Sequence, residues 1–148
     1  MRRLLIAPDD LAAVERRAVA ASPAECCGLL LGHPADGGAV RIGRIEPCVN
    51  RAPDPGRRFT ISPEALLSAY RRAREHGEQV VGTFHSHPGG AAVPSGSDRQ
   101  SAWPGASYLI VGLGEAGVRE RRSWRLDEDR FVEEEVVARV PGEREVEP

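Results

Sequence analysis

The stretch Val80-Val81-Gly82-Thr83-Phe84-His85-Ser86-His87-Pro88 restricts this chain more than any other. A β-branched and aromatic run closed by Pro reads as a strand, predicted over Val80 to His87. Side chains two apart on a strand leave by the same face, so His85 and His87 aim into one volume and Ser86 points the other way. A Gly/Pro-rich loop follows, and Pro94-Ser95 opens a short helix predicted from about Ser95 to Trp103. Asp98 falls in its first turn, and the loop glycines let it fold back toward the strand end.

Taken alone, Ser95 and Asp98 are accounted for by a helix start, with Ser95 capping and the dipole favouring the acid. Taken with the histidine pair and the return loop, they point to a metal site. Three protein ligands leave the fourth corner of a tetrahedral zinc to water, the layout of a catalytic centre. Zinc brings the pKa of that water from about 15.7 down to about 7. The same ligand types suit a non-haem Fe(II) oxygenase. A cupin-type all-β barrel also presents such a pair, but the capped helices at Ser62 and Ser95 fit it poorly. Zinc nucleobase deaminases need H-x-E and P-C-x-x-C, and this chain has neither.

Around this segment the pattern alternates between strands and helices. A strand is predicted at Arg3 to Ile6, then a helix from Pro8-Asp9-Asp10 with Leu11, Val14 and Ala18 on its apolar face. Glu25 to Gly32 reads as a buried strand and Val40 to Cys48 as its hairpin partner. Asn50 to Arg58 is a loop. Ser62-Pro63-Glu64 starts a helix that buries Leu66, Tyr70 and Ala73 and ends at Gly77. Strands at Ser107 to Leu113, Val118 to Leu126 and Phe131 to Val140 complete an α/β arrangement, a mixed sheet flanked by helices.

With 148 residues this is about one domain, assigned to residues 1–140 with a polar tail at 141–148. A net charge of −2, with all 20 basic residues Arg and set among acids, argues against a phosphate-binding surface, so no nucleic-acid partner is expected. The apolar run Leu4 to Ala7 is too short for a secretory segment, and no stretch approaches the roughly 18 apolar residues of a membrane span. Three cysteines, two of them adjacent, fit neither a disulfide framework nor a metal knuckle. They read as buried thiols, and a cytoplasmic location is expected.

His85-Ser86-His87-Pro88, five residues and Pro94-Ser95-Gly96-Ser97-Asp98 resemble the JAMM (MPN+) metalloprotease motif, HxHP-x5-PSxxD, at every defining position. Glu25-Cys26-Cys27-Gly28-Leu29-Leu30-Leu31-Gly32 resembles the strand that carries that family's catalytic glutamate, and the likeness spans about residues 1–140. The resemblance implies a cytidine-deaminase-like α/β sandwich with one zinc ion (Zn2+) held by His85, His87 and Asp98. It makes Glu25 the general base and acid, a choice the residues alone do not make over Glu46 or Glu15. It makes Ser95 a donor to the oxyanion. His33 and His76 are left as surface residues.

Members of this family cut amide or isopeptide bonds at the tails of ubiquitin-like proteins. The ECCGLLLG strand resembles the bacterial CysO-cysteine peptidase (Mec+-like) group, which acts at the Gly-Gly end of a small sulfur-carrier protein. The implied reaction is therefore hydrolysis at such an end, for example release of cysteine. The alternatives are an isopeptidase on other ubiquitin-like conjugates and a non-catalytic scaffold. A Gly-Gly tail would bind extended along a strand edge, and the Asn50–Arg58 loop is expected near that cleft.

Overall fold

A computed structural model describes residues 1–100 and 102–139. In chain order the elements are β1 (Arg3–Ile6), α1 (Pro8–Ala21), β2 (Cys27–Pro34), β3 (Val40–Cys48) and α2 (Pro63–Glu75). Then come β4 (Gln79–Pro88), α3 (Gly96–Gln100), β5 (Ser107–Gly114), β6 (Gly117–Asp127) and β7 (Arg130–Ala138). The chain is a mixed α/β domain in which one sheet carries few helices.

The strand order is β1-β3-β2-β4-β5-β6-β7, and the sheet closes because β7 returns to β1. β1 is the closing piece. It pairs parallel with β3 at Leu4↔Val40 and parallel with β7 from Arg3↔Glu135 to Ile6↔Ala138. β4, carrying the histidines, is flanked by β2 (antiparallel) and β5 (parallel).

β2 is apolar without alternation because both of its faces are covered. Leu30 packs in a cluster with Leu11, Val14 and Ala18 of α1, together with Phe84, Leu109 and Val111. Leu29 and Leu31 face Ala69 and Ala73 of α2. Two glycines permit the tight centre. A Cβ on Gly28 would stand 2.3 Å from the Phe84 ring, and one on Gly82 would stand 2.0 Å from the Ser107 carbonyl oxygen.

Several boundaries differ from the sequence pattern. β2 begins at Cys27, so Glu25 precedes the ladder rather than opening it. α3 is confined to Gly96–Gln100, and its predicted extension passes residue 101, which lies outside the described residues. The end predicted for the last strand at Val140 and the tail at 141–148 also lie outside them. Tyr70 is not on the buried face of α2 but 51% exposed, and Leu66 is half-buried. Ala73 is buried as predicted, and with it Ala69 rather than Tyr70 turns toward β2; these small side chains let the helix lie close and leave Tyr70 on its flank. Ser62 caps α2 as predicted, its hydroxyl oxygen accepting from the Ala65 amide at 3.1 Å.

Candidate metal centre

β4 delivers two imidazoles on one face. His85 Nε2 and His87 Nε2 stand 3.1 Å apart, and Asp98 Oδ2 lies 3.1 Å from the first and 3.2 Å from the second. An ion with bonds of about 2.0–2.1 Å in tetrahedral geometry needs ligand atoms about 3.3 Å apart. The observed triangle fits that need. The proton inventory points the same way. His87 Nδ1 donates to the Ala91 carbonyl oxygen at 2.9 Å, so Nε2 faces the triangle either as the lone pair of the neutral ring, open to a cation, or with a further proton that Asp98 accepts. Converging lone pairs repel unless a cation or proton lies among them.

The supports of the ligands are local. His85 is fully buried and stacks on Phe59, ring centroids 4.6 Å apart. The loop after β4 is pinned by Trp124, whose Nε1–H donates to the Ala92 carbonyl oxygen at 2.9 Å. At α3 the Ser95 amide donates to Asp98 Oδ2 at 2.8 Å, and the Asp98 amide donates to Ser95 Oγ at 3.1 Å. This reciprocal cap fixes the carboxylate that faces the histidines. In it Ser95 Oγ only accepts, so the hydroxyl keeps its own proton to donate. The cap and an active role for Ser95 are compatible.

Protonation is divided by environment. Burial raises the Asp98 carboxyl, but hydrogen bonds with His85 and His87 outweigh it and hold the group well below the usual carboxylate range. Burial lowers the pKa of His85, against the pull of Asp98. For His87 burial also lowers it, but the bonds to Asp98 and to the Ala91 carbonyl win and the pKa is raised. Burial thus favours the neutral form of His85, while Asp98 and the Ala91 carbonyl make the less buried His87 more basic.

Glu25 approaches from before β2. It is 4% exposed, and its Oε1 has no hydrogen-bond partner among the described residues. Ligand-type atoms of Glu25, His85 and His87 all lie within 4.8 Å of one another. Burial raises the Glu25 pKa to about 7, partly opposed by His87. Glu15 and Glu46 are engaged elsewhere, Glu15 by Arg121 at 2.8 Å and Glu46 by Arg72 at 3.5 Å. Of these three acids, the structure brings only Glu25 to the histidines. His33 and His76 are exposed, away from this cluster.

Beside Asp98 lies a cavity of about 220 Å³, walled by Phe59, Thr83, Trp103 and Tyr108. Phe59 escaped the sequence reading. An aromatic residue leaving a Pro/Gly loop carries no periodic signal, and only the fold places it on His85. The side chain of Asn50, at the start of the predicted loop, holds that loop together.

A mixed sheet that brings two imidazoles and two carboxylates to one water-poor corner defines a centre of the metallohydrolase type. A family model described as prokaryotic homologs of the JAB domain matches residues 9–127. The chain is 37% identical over 109 residues to a desampylase of Haloferax volcanii, covering 73% of this chain and 75% of the relative. It is 30% identical over 134 residues to a CysO-cysteine peptidase of Mycobacterium tuberculosis, covering 90% of this chain and 89% of the relative. A solution structure of a protein from Desulfitobacterium hafniense superposes with a TM-score of 0.79 at 31% identity, covering 94% and 93% of the two chains. This chain belongs to the prokaryotic JAB-domain family, a JAMM (MPN+) member, and is a hydrolase of that type.

Proposed function

We propose that this chain is a zinc-dependent isopeptidase that cuts the amide bond following the C-terminal Gly-Gly of a ubiquitin-like sulfur-carrier protein, for example releasing cysteine from a carrier–cysteine adduct. The observation that carries the proposal is the buried, unpartnered Glu25 Oε1 set beside two imidazole nitrogens. His85, His87 and Asp98 would hold the zinc. When bound there it supplies Lewis acidity, polarising the scissile carbonyl and making water acidic enough to attack near neutral pH.

The chain's own groups do the rest. Glu25 Oε1 is free to take the proton of the attacking water and return it to the departing amine nitrogen. Its burial, by raising the pKa to about 7, suits it to both halves of that transfer. The Ser95 hydroxyl would donate to the oxygen on which negative charge grows, a contribution of about 2.7–4 kcal/mol in comparable sites. His87 keeps its orientation through the Ala91 carbonyl. Gly-Gly has no side chains to exclude, so an extended tail can lie close to the histidines.

The substrate class is supported by the similar proteins named desampylase and CysO-cysteine peptidase. A reducing, cytoplasmic setting is supported by Cys26, Cys27 and Cys48, all free thiols whose pKa values burial raises, that of Cys27 to about 12. The test is to incubate the protein with a carrier–cysteine adduct and with a ubiquitin-like fusion and to weigh the products. Glu25→Gln is expected to keep one equivalent of zinc and to lose turnover by about 10²–10⁴-fold. Cleavage by Glu25→Gln at the wild-type rate sinks the assignment.

A further inference from the structure

Glu25 belongs to no strand, yet its backbone is gripped from both sides by one loop. Its amide donates to the Pro55 carbonyl oxygen at 2.7 Å, and its carbonyl oxygen accepts from Asn50 Nδ2 at 3.1 Å. Asn50 does more than this. Nδ2 also donates to the Arg58 carbonyl oxygen at 3.0 Å, with the Pro55 carbonyl oxygen farther off at 3.4 Å. Oδ1 accepts from the amides of Ala52 at 3.0 Å and Thr60 at 3.1 Å. The amide of Arg51 closes the loop on the Thr60 carbonyl oxygen at 2.8 Å.

One amide side chain thus ties the start of the loop, its exit and the backbone of Glu25 together. At the exit stands Phe59, stacked on His85. The neighbouring residues add their own ties: Cys26 N–H donates to Ser86 Oγ at 2.8 Å, its carbonyl oxygen accepts from the Ser86 amide at 3.2 Å, and Ala24 N–H donates to the Ala21 carbonyl oxygen at 2.9 Å. Without strand pairing at residue 25, the position of its carboxylate depends on these few bonds.

We propose that Asn50 is a positioning residue for the reaction, holding Glu25 and Phe59 in register against His85. The inference rests on the role given to Glu25 above. Misplacing a reacting group by about 1 Å can cost about 10²-fold in rate. The expected signature is therefore in kcat and not in substrate or metal affinity.

The experiment compares Asn50→Ala and Asn50→Asp with wild type on the carrier–cysteine adduct, alone and combined with Glu25→Gln. Asp is isosteric and keeps the acceptor for Ala52 and Thr60 while losing both donors, so it separates the bonds to the Glu25 and Arg58 carbonyls from those that hold the loop's own amides. Both variants are expected to lower kcat by about 10–100-fold, with KM within about threefold and one equivalent of zinc retained. In the Glu25→Gln background the same change should cost less than about threefold, because the group it positions is already gone. An equal loss in both backgrounds, or an unchanged kcat, overturns the proposal. If wild type does not cleave the adduct, the proposed function fails, and amide exchange decides the role of Asn50 by itself. The Glu25 amide should then exchange at least about tenfold faster in Asn50→Asp while the Leu30 and Phe84 amides stay protected. Unchanged exchange at Glu25 overturns the proposal.

Discussion

Two buried carboxylates, Glu25 and Glu134, meet opposite fates in this molecule. Glu134 of β7 is 1% exposed and fully engaged. Its Oε2 accepts from Ser107 Oγ at 2.8 Å and Ser123 Oγ at 3.2 Å, and its Oε1 from Arg125 at 2.6 Å. Arg125 in turn reaches the Gly38 carbonyl oxygen at 2.7 Å. Glu25 is nearly as buried, but nothing donates to its Oε1 among the described residues. Each is set against a different stretch of the β4–β5 pair, although neither belongs to it. Ser107, over Glu134, pairs with Gly82, whereas His85 and His87 pair with Ile110 and Gly112. Burial by itself therefore does not mark a functional acid. A charge supplied with donors stabilises the fold, and one left without them is held ready for a proton.

The contrast can be broken by exchanging the two effects. The largest expected difference is in turnover, where Glu25→Gln loses about 10²–10⁴-fold and Glu134→Ala keeps wild-type kcat per folded molecule. Loss of kcat in folded Glu134→Ala would erase the distinction. Stability should invert the order. Removing Glu134 leaves the half-buried Arg125 without its carboxylate and Ser107 and Ser123 without their acceptor, and is expected to cost about 3 kcal/mol, read from the urea midpoint. A cost under about 1 kcal/mol would show that the cluster is not a structural pin.

The third expectation concerns pH in chelated protein. The folded pKa of Glu25 stands above its ordinary value of 4.5, at about 7. The folded state therefore binds the proton more tightly than the unfolded state does. That stability is fully present below pH 4.5 and is lost as pH rises through about 7. Chelated Glu25→Gln should gain on chelated wild type across that window, reaching about 3 kcal/mol above it. Parallel urea midpoints at pH 4, 6 and 8 would break the expectation.

The smallest effect sharpens the comparison at the surface. Arg58 pairs with Asp54 at 2.9 Å in the loop that holds Glu25, and Arg57 is exposed beside it. Reversing both to Glu is expected to raise KM for a carrier adduct by several-fold with little change in kcat. Reversing Arg121, which pairs with Glu15, should leave KM unchanged. Equal effects at the two places would argue against the loop as part of the substrate cleft.

Much of this was legible in the chain before folding, and the reason is locality. Period-two histidines on a β-branched run, a Ser95-to-Asp98 cap and the Ser62-Pro63 start depend on residues a few positions apart. The structure reproduces each of them, with β3 over Val40–Cys48 and β1 over Arg3–Ile6 at their predicted bounds. The exposed flank of Tyr70 was not legible, because helical spacing defines an apolar stripe but not which edge of it a sheet will cover. Nor was the closure of the sheet through β1 and β7, since parallel pairing between the two ends of a chain leaves no short-range pattern.

The sequence by itself determined the pair of imidazoles, the acid returned to them and the helix cap that aims it, because a strand's alternation and a helix's first turn are local geometry. Only the tertiary structure decided which glutamate joins them. Glu15, Glu25 and Glu46 are alike as residues, and what separates them is whether the fold supplies a partner. Arg121 and Arg72 occupy two, while the Asn50 loop holds the third beside His85 and His87, its Oε1 without a donor among the described residues.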